Sequence, residues 1–298
     1  MLETEICGVK IQNPTILASG IRGIGSGSFT RAAKEGAGAA VSKSCCLQPR
    51  AGYASPTVLV HENMVLNAIG LANPGVEEEI KEIKTALETS QIPIIASVFE
   101  NSIETFGEVA RKVSEANPHL IELDMSCPHV KGVSFAYDAD LAAKVTANVK
   151  ENTKIPIIVK LSPNVSNIGN IAKKVEEAGA DAISAINSAS GMMIDIESGR
   201  PILGNKTGGL TGPAIKPIGV RCVYEICKTV NIPVLGIGGI MTGNDAIEYI
   251  MAGATAVQIG SGAYYRKNIF KEVCKEIQDF MKSHGYSKLN DMKGLALR

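Results

Sequence analysis

The 298-residue chain has no surplus of either charge: thirty basic and thirty acidic side chains cancel, with neither a basic block nor an acidic tail. A nucleic-acid backbone or an anionic membrane surface calls for such a block, so neither is expected as a partner, and a small molecule is. The chain also lacks any run of about eighteen apolar residues. Met1 to Lys10, which carries Glu3 and Glu5, has no apolar signal-peptide core. A cytoplasmic protein that does not span a membrane is expected. The seven cysteines, Cys7, Cys45, Cys46, Cys127, Cys222, Cys227 and Cys274, contain no C-x-x-C pair. That argues against an iron–sulfur cluster held by this chain, and their odd number and scatter suit a reducing compartment. His61, His119 and His284 lack metal-ligand spacing and read as surface or loop residues, so no metal is expected. No linker-like shift, low-complexity tract or close repeat divides the sequence, and one domain over residues 1–298 is expected.

Short apolar runs are present in their place, each followed by a segment of helical spacing, in a number of pairs that approaches eight. Strands are expected near Thr15 to Ala18, Ala39 to Lys43, Pro93 to Val98, Leu120 to Met125, Pro156 to Leu161, Ala182 to Ile186, Pro233 to Gly236 and Ala256 to Gly260. Glu77 to Glu88 sets Ile80, Ile83, Ala86 and Leu87 on one stripe, and Ile103 to Asn117 and Ile168 to Gly179 repeat that spacing. Gly36, Gly179 and Gly253 stand where a left-handed residue ends a helix. Alternating strands and helices demand a parallel sheet, which could be doubly wound. Eight units favour closure, so the expected class is α/β, a (β/α)8 TIM barrel with extended loops at the C-terminal face of the strands. Cys45 to Pro74 and Met192 to Lys216 interrupt the rhythm as long irregular stretches after strand ends, where functional loops lie.

The most informative run is Glu122-Leu123-Asp124-Met125-Ser126-Cys127-Pro128-His129. It reads as the end of a buried strand, stopped by Pro128, that delivers Cys127 into a polar loop. In a parallel barrel that end carries the chemistry, and a thiol there can act as an acid/base group. Inert packing is the competing reading. Gly236-Ile237-Gly238-Gly239-Ile240 and Gly260-Ser261-Gly262 follow two consecutive late strands, the pattern of a phosphate cradle in which glycines admit phosphate oxygens to backbone N–H groups. Glycines that only turn tight loops are the alternative. Lys43 and Lys160 end otherwise apolar strands, where a lysine is costly without an anion or polar partner, so both are read as ligand contacts. Lys216, before Pro217, reads as a solvated residue entering a helix, and Cys45-Cys46 as loop packing. Asn67 to Gly75 and Asn187-Ser188 supply groups that donate and accept together, as a planar amide-rich ring requires. Singly, Asn67 is also a turn residue and Asn187-Ser188 a helix cap.

Taken in order, Ala18-Ser19-Gly20, Lys43-Ser44, Pro49-Arg50-Ala51-Gly52, Asn67-Ala68-Ile69-Gly70-Leu71, Ser126-Cys127-Pro128, Lys160-Leu161-Ser162-Pro163-Asn164, Gly208-Gly209-Leu210-Thr211-Gly212-Pro213-Ala214 and Gly236-Ile237-Gly238-Gly239 resemble the soluble class 1 dihydroorotate dehydrogenases. The resemblance runs from about Leu2 to Arg266. The wording Asn67 to Leu71 with Asn73-Pro74-Gly75-Val76 is most similar to the NAD-linked class 1B catalytic subunit.

The resemblance implies an FMN-containing barrel that oxidises dihydroorotate to orotate in pyrimidine synthesis. Cys127, as thiolate, would take the C5 proton while a hydride leaves C6 for the flavin. Lys43 would serve substrate and flavin, with Lys160 beside the ring and Ala18, Ser19, Gly20, Ser44, Asp124 and Ile186 around it. Gly212, Gly238, Gly239, Gly260 and Ser261 would hold the ribityl phosphate end. Asn67, Ala68, Ile69, Gly70, Leu71, Asp124, Asn187 and Ser188 would bind the substrate. A cysteine base with no N-terminal extension matches class 1 rather than the membrane-bound class 2, which carries serine. The same resemblance implies a separate subunit bearing FAD and a [2Fe–2S] cluster that reduces NAD, and a homodimer within a heterotetramer.

Two positions depart from the family pattern. Asp124 and His129 stand where the family has Asn on either side of Ser-Cys-Pro. A carboxylate cannot donate as an amide does, and it repels an anionic substrate unless it is protonated or paired. Ser-Cys-Pro-His also occurs in dihydropyrimidine dehydrogenases, whose uracil-type substrate has no carboxylate, and that reaction is the first alternative. Lys43 and Asn67 favour orotate. His129 could bond the substrate, tune Cys127 or face solvent, and its place two residues past the thiol favours a functional role. A non-redox isomerase or aldolase barrel that holds a sugar phosphate, and a flavin-binding or assembly protein without catalysis, are the other readings.

Overall fold

The computed structural model describes residues 1–22, 25–125 and 135–298. Among them, eight strands close into an all-parallel barrel: β1 Thr15–Leu17, β2 Ala39–Val41, β3 Ile94–Val98, β4 Leu120–Asp124, β5 Ile157–Leu161, β6 Ala182–Ala185, β7 Val234–Ile237 and β8 Ala256–Ile259. Each pairs with its neighbour in sequence, and β8 closes on β1 through Val257 to Ile259 beside Thr15 to Leu17. All eight expected strands form, one or two residues shorter than the sequence suggested or shifted by one. Pro93, Pro156 and Pro233 fall just outside the ladders because they have no N–H to give. Their carbonyls still serve, accepting from Ala40, Ile121 and Ile183 at 3.0, 3.0 and 2.9 Å.

Helices follow the strands in turn: α1 Ser26–Lys34, α2 Val76–Thr89, α3 Ile103–Val113, α4 Ala139–Asn152, α5 Ile168–Glu177, α6 Lys216–Cys227, α7 Gly243–Met251 and α8 Ile269–Ser283. The expected helix to Asn117 stops as an α-helix at Val113, continues as one 3₁₀ turn over Ser114–Ala116, and ends on Asn117 in the left-handed region. Gly36, Gly179 and Gly253, at φ of 93°, 98° and 115°, end helices as the sequence suggested. No described helix is long and apolar enough to cross a membrane.

Strand periodicity sorts the barrel wall. Along β4 and just past its end, Ile121, Leu123 and Met125 belong to the large outer core beneath the helices, whereas Leu120 belongs to a separate inner cluster with Ile16, Val41, Ile95, Ile158 and Leu235. Ile6 and Ile11 complete that inner cluster. They come from an N-terminal hairpin, Thr4–Ile6 with Val9–Ile11, turned on Cys7 and Gly8 at positive φ, and they close the N-terminal end of the barrel. Above this apolar floor the inward positions become polar: Ser97, Glu122, Ser184 and Gln258 are each fully buried, with Lys160 one step higher.

The two stretches expected to be irregular are ordered. Val58–His61, Met64–Asn67, Gly208–Thr211 and Ala189–Gly191 form a four-stranded antiparallel sheet over the C-terminal mouth. Ile194–Asp195 and Arg200–Pro201 add a small hairpin. Glycines let the first of these stretches fold closely on itself. A Cβ at Gly70 would come within 2.6 Å of the Tyr53 amide nitrogen, and one at Gly52 would strike the Ile69 carbonyl oxygen.

Candidate active site

The C-terminal mouth holds a cavity of about 1590 Å³ between barrel and roof. Nearly every residue expected to act lines it. Ala18, Ser19 and Gly20 follow β1, Lys43 follows β2, Asp124 ends β4, Lys160 lies in β5, and Ile186, Asn187 and Ser188 follow β6. The roof contributes Asn67, Ala68, Ile69, Gly70, Leu71 and Gly212, and the late loops Gly238, Gly239, Gly260 and Ser261. Ser44 is the exception. It is 2 % exposed and lies one layer behind, its hydroxyl within 3.2 Å of Ser19 Oγ and 2.9 Å of Ser97 Oγ. Cys127 and His129 lie outside the described residues, which end at Met125 and resume at Phe135.

Asp124 is 7 % exposed and accepts a 3.1 Å hydrogen bond from Asn187 Nδ2. Asn187 Oδ1 in turn accepts from the Ser188 amide at 2.8 Å, which fixes the orientation of the amide. The Asp124 carboxylate also acts on the Lys43 ammonium through its charge. Burial pulls the Lys43 pKa below its ordinary value, while Asp124 and Glu79 oppose that and Lys160 adds to it. The acid at position 124 therefore has an amide donor and the attraction of a cation, which make a carboxylate there tolerable beside an anion.

The roof is tied together from within. Asn67 Nδ2 donates to the Gly209 carbonyl at 3.2 Å, and Arg50 Nε to the Gly70 carbonyl at 2.8 Å. Asn164 joins two walls, donating to Ser188 O at 3.2 Å and accepting from the Ser190 amide at 2.8 Å.

At the other end, the amide N–H groups of Gly238, Gly239 and Ser261 donate to no described residue. A Cβ at Gly260 would meet only Ile21 and Ala18, at 3.6 and 3.8 Å, so the approach to the backbone is open. This fits a phosphate cradle of the kind formed after the seventh and eighth strands of such barrels. Not every glycine here serves a ligand. Gly219, Gly236 and Gly238 surround the buried Tyr249 ring, and the Tyr249 hydroxyl donates to the Gly238 and Ile237 carbonyls at 2.7 and 3.2 Å. Gly239, at φ 68°, packs against Lys216 and the Gly212 carbonyl. Lys216 is no freely solvated residue: its ammonium pairs with Asp245 at 2.8 Å and Glu248 at 2.7 Å, tying α6 to α7.

Sequence reasoning missed Glu79 on α2, 3 % exposed behind Lys43. Burial pushes its carboxyl up to about 7, helped by Glu82 and opposed by Ser42 and Lys43. A folded-state value above the unfolded one means that this group's contribution is most favourable at low pH and is lost as pH rises through about 7. Glu79→Gln, neutral throughout, is expected to raise stability by roughly 1–3 kcal/mol at about pH 8 and by little at about pH 5. Thermal melts at both pH values check this, and an equal change at both would contradict it. Two of the described histidines have structural contacts: His119 Nδ1 accepts from the Ile94 amide at 3.2 Å, and the His284 ring stacks on Phe280. Among the described residues no group of three His, Cys, Asp or Glu side chains converges as a metal site.

Comparison with known proteins adds a name to this geometry. A family model described as dihydroorotate dehydrogenase matches residues 1–281. Three relatives share the name dihydroorotate dehydrogenase B (NAD(+)), catalytic subunit. That of Methanothermobacter thermautotrophicus is 46 % identical over 99 % of this chain and 98 % of its own length. Those of Methanocaldococcus jannaschii and Bacillus pumilus are 47 % and 41 % identical, each over 99 % of this chain and over 98 % and 96 % of their own lengths.

Proposed function

This chain belongs to the dihydroorotate dehydrogenase family, and from that premise we propose that it oxidises dihydroorotate to orotate in pyrimidine synthesis, with FMN in the barrel mouth. The observation that carries the reading is a single cavity that joins Lys43, Asn67, Asp124, Lys160 and Asn187 to the open amides of Gly238, Gly239 and Ser261.

Gly212, Gly238, Gly239, Gly260 and Ser261 hold the phosphate of FMN, and Ala18, Ser19, Gly20, Ile186 and Lys160 its ring. When bound, the flavin supplies the acceptor for the hydride that leaves C6. Cys127 removes the C5 proton, taking it onto sulfur as the C5–C6 double bond forms. Lys43 offers a cation, and Asn67 and Asn187 offer paired donors and acceptors to the flat ring and its carboxylate. Asn187 also ties Asp124 in place, so that acid is turned toward the amide and Lys43. The roof, clamped by Arg50 and Asn67, limits water above the ring.

Electrons leave through a partner subunit that bears FAD and a [2Fe–2S] cluster and reduces NAD, within a heterotetramer built on a homodimer of this chain. The names of the relatives, each a catalytic subunit, support a partner.

Two readouts on purified protein test the reading. Heat release followed by chromatography should yield FMN, and dihydroorotate with an artificial acceptor should yield orotate by its absorbance. Released FAD in place of FMN, or a flavin-bearing protein that forms no orotate, would contradict it.

A further inference from the structure

Glu122 is the one carboxylate buried inside the barrel at 0 % exposure, and nothing in the reaction above uses it. Its Oε2 is saturated, accepting from Ser184 Oγ at 2.9 Å and Gln258 Nε2 at 2.6 Å. Its Oε1 accepts no hydrogen bond and lies 3.5 Å from Lys160 Nζ. Lys160 is 6 % exposed, its ammonium donates to no described residue, and Glu122 is its only ion-pair partner among them. The pair thus stands on end beneath the cavity floor, the cation uppermost and the anion one layer down. Ser184 and Gln258 hold the anion from behind, since a buried charge without such partners is very costly.

We propose that Glu122 is a positioning residue that sets the electrostatic potential of the cavity floor: it holds Lys160 Nζ in place and offsets most of its charge, so that an electron-rich ring above meets a tempered cation. The proposal rests on the flavin reading. A unit charge acting over several ångströms through protein is worth enough to move an equilibrium roughly tenfold. Removing the anion strengthens the floor's preference for negative charge above it, and removing the cation weakens that preference.

Sulfite provides the readout, because its sulfur lone pair forms a bond to flavin N5, bleaches the visible band and leaves the added negative charge on the ring. In the purified flavin-bearing protein, Glu122→Gln is expected to tighten sulfite roughly tenfold or more, and Lys160→Met to weaken it by a similar factor. Opposite signs from the two halves of one ion pair are the signature, since a merely structural role would loosen the site in both variants. Glu122→Asp keeps the charge but withdraws it by one methylene, and covers the case in which Glu122→Gln does not fold. It should tighten sulfite by a smaller factor. Variants with the wild-type sulfite affinity, or shifted in the same direction by Glu122→Gln and Lys160→Met, overturn the proposal. A wild-type protein that cannot be loaded with flavin overturns the reading beneath it as well, and so separates the two failures.

Discussion

Replacing Cys127 with serine is expected to slow flavin reduction by dihydroorotate at neutral pH by about 10²- to 10⁴-fold while leaving flavin bound. The two side chains are close in size, but a hydroxyl is a far weaker proton acceptor than a thiolate, so the change removes the base without emptying the site. Position supports the assignment: β4 ends at Asp124, Cys127 lies three residues further along the chain, and the strand end lines the cavity. Stopped-flow mixing under anaerobic conditions reads the rate directly. In the wild type the rate should climb with pH as the thiol titrates, whose unperturbed value is about 8.5. The serine variant should lose that limb. Full flavin reduction by Cys127→Ser would exclude this thiol as the base.

Lys43→Met is expected to weaken orotate binding by roughly 10- to 100-fold, the loss that accompanies removal of a charge-assisted hydrogen bond to an anion. Methionine keeps most of the apolar stem, so packing behind β2 survives and the effect belongs to the charge. Without the ammonium, Asp124 loses a nearby cation, and the negative charge it adds to the same cavity is less offset. Both consequences push an anionic ligand away, and they fall on binding more than on the chemical step. The perturbation of the flavin spectrum on titration with orotate measures it. Unchanged affinity would remove Lys43 from the substrate site.

Much of the architecture is legible in the chain because a parallel barrel writes its strands as short buried runs. The glycines at the ends of β7 and β8 and the lysines just after β2 and on β5 mark the mouth. Less legible is the barrel interior. Glu122 and Gln258 sit in runs that read as apolar because both faces of such a strand are buried, so no alternation betrays which polar residue points inward. The roof was hidden for another reason. Met64–Asn67 pairs with Gly208–Thr211, about 140 residues away, and exposed Val58 and Val60 blur the pattern of its edge strand. Asp124 reads from sequence as a liability. Only the fold brings Asn187 and Lys43 to it and turns it into part of the floor. The glycines around Tyr249 show the converse, a motif read first as a ligand cradle in which Gly236 and Gly238 also make room for a buried ring.

The most direct test of the account is an anaerobic titration of the flavin-bearing protein with dihydroorotate and, separately, with dihydrouracil. The account predicts that dihydroorotate bleaches the visible flavin band to completion, at one equivalent per flavin, while dihydrouracil leaves it intact. A band that dihydroorotate does not bleach, or that dihydrouracil bleaches equally well, would contradict it.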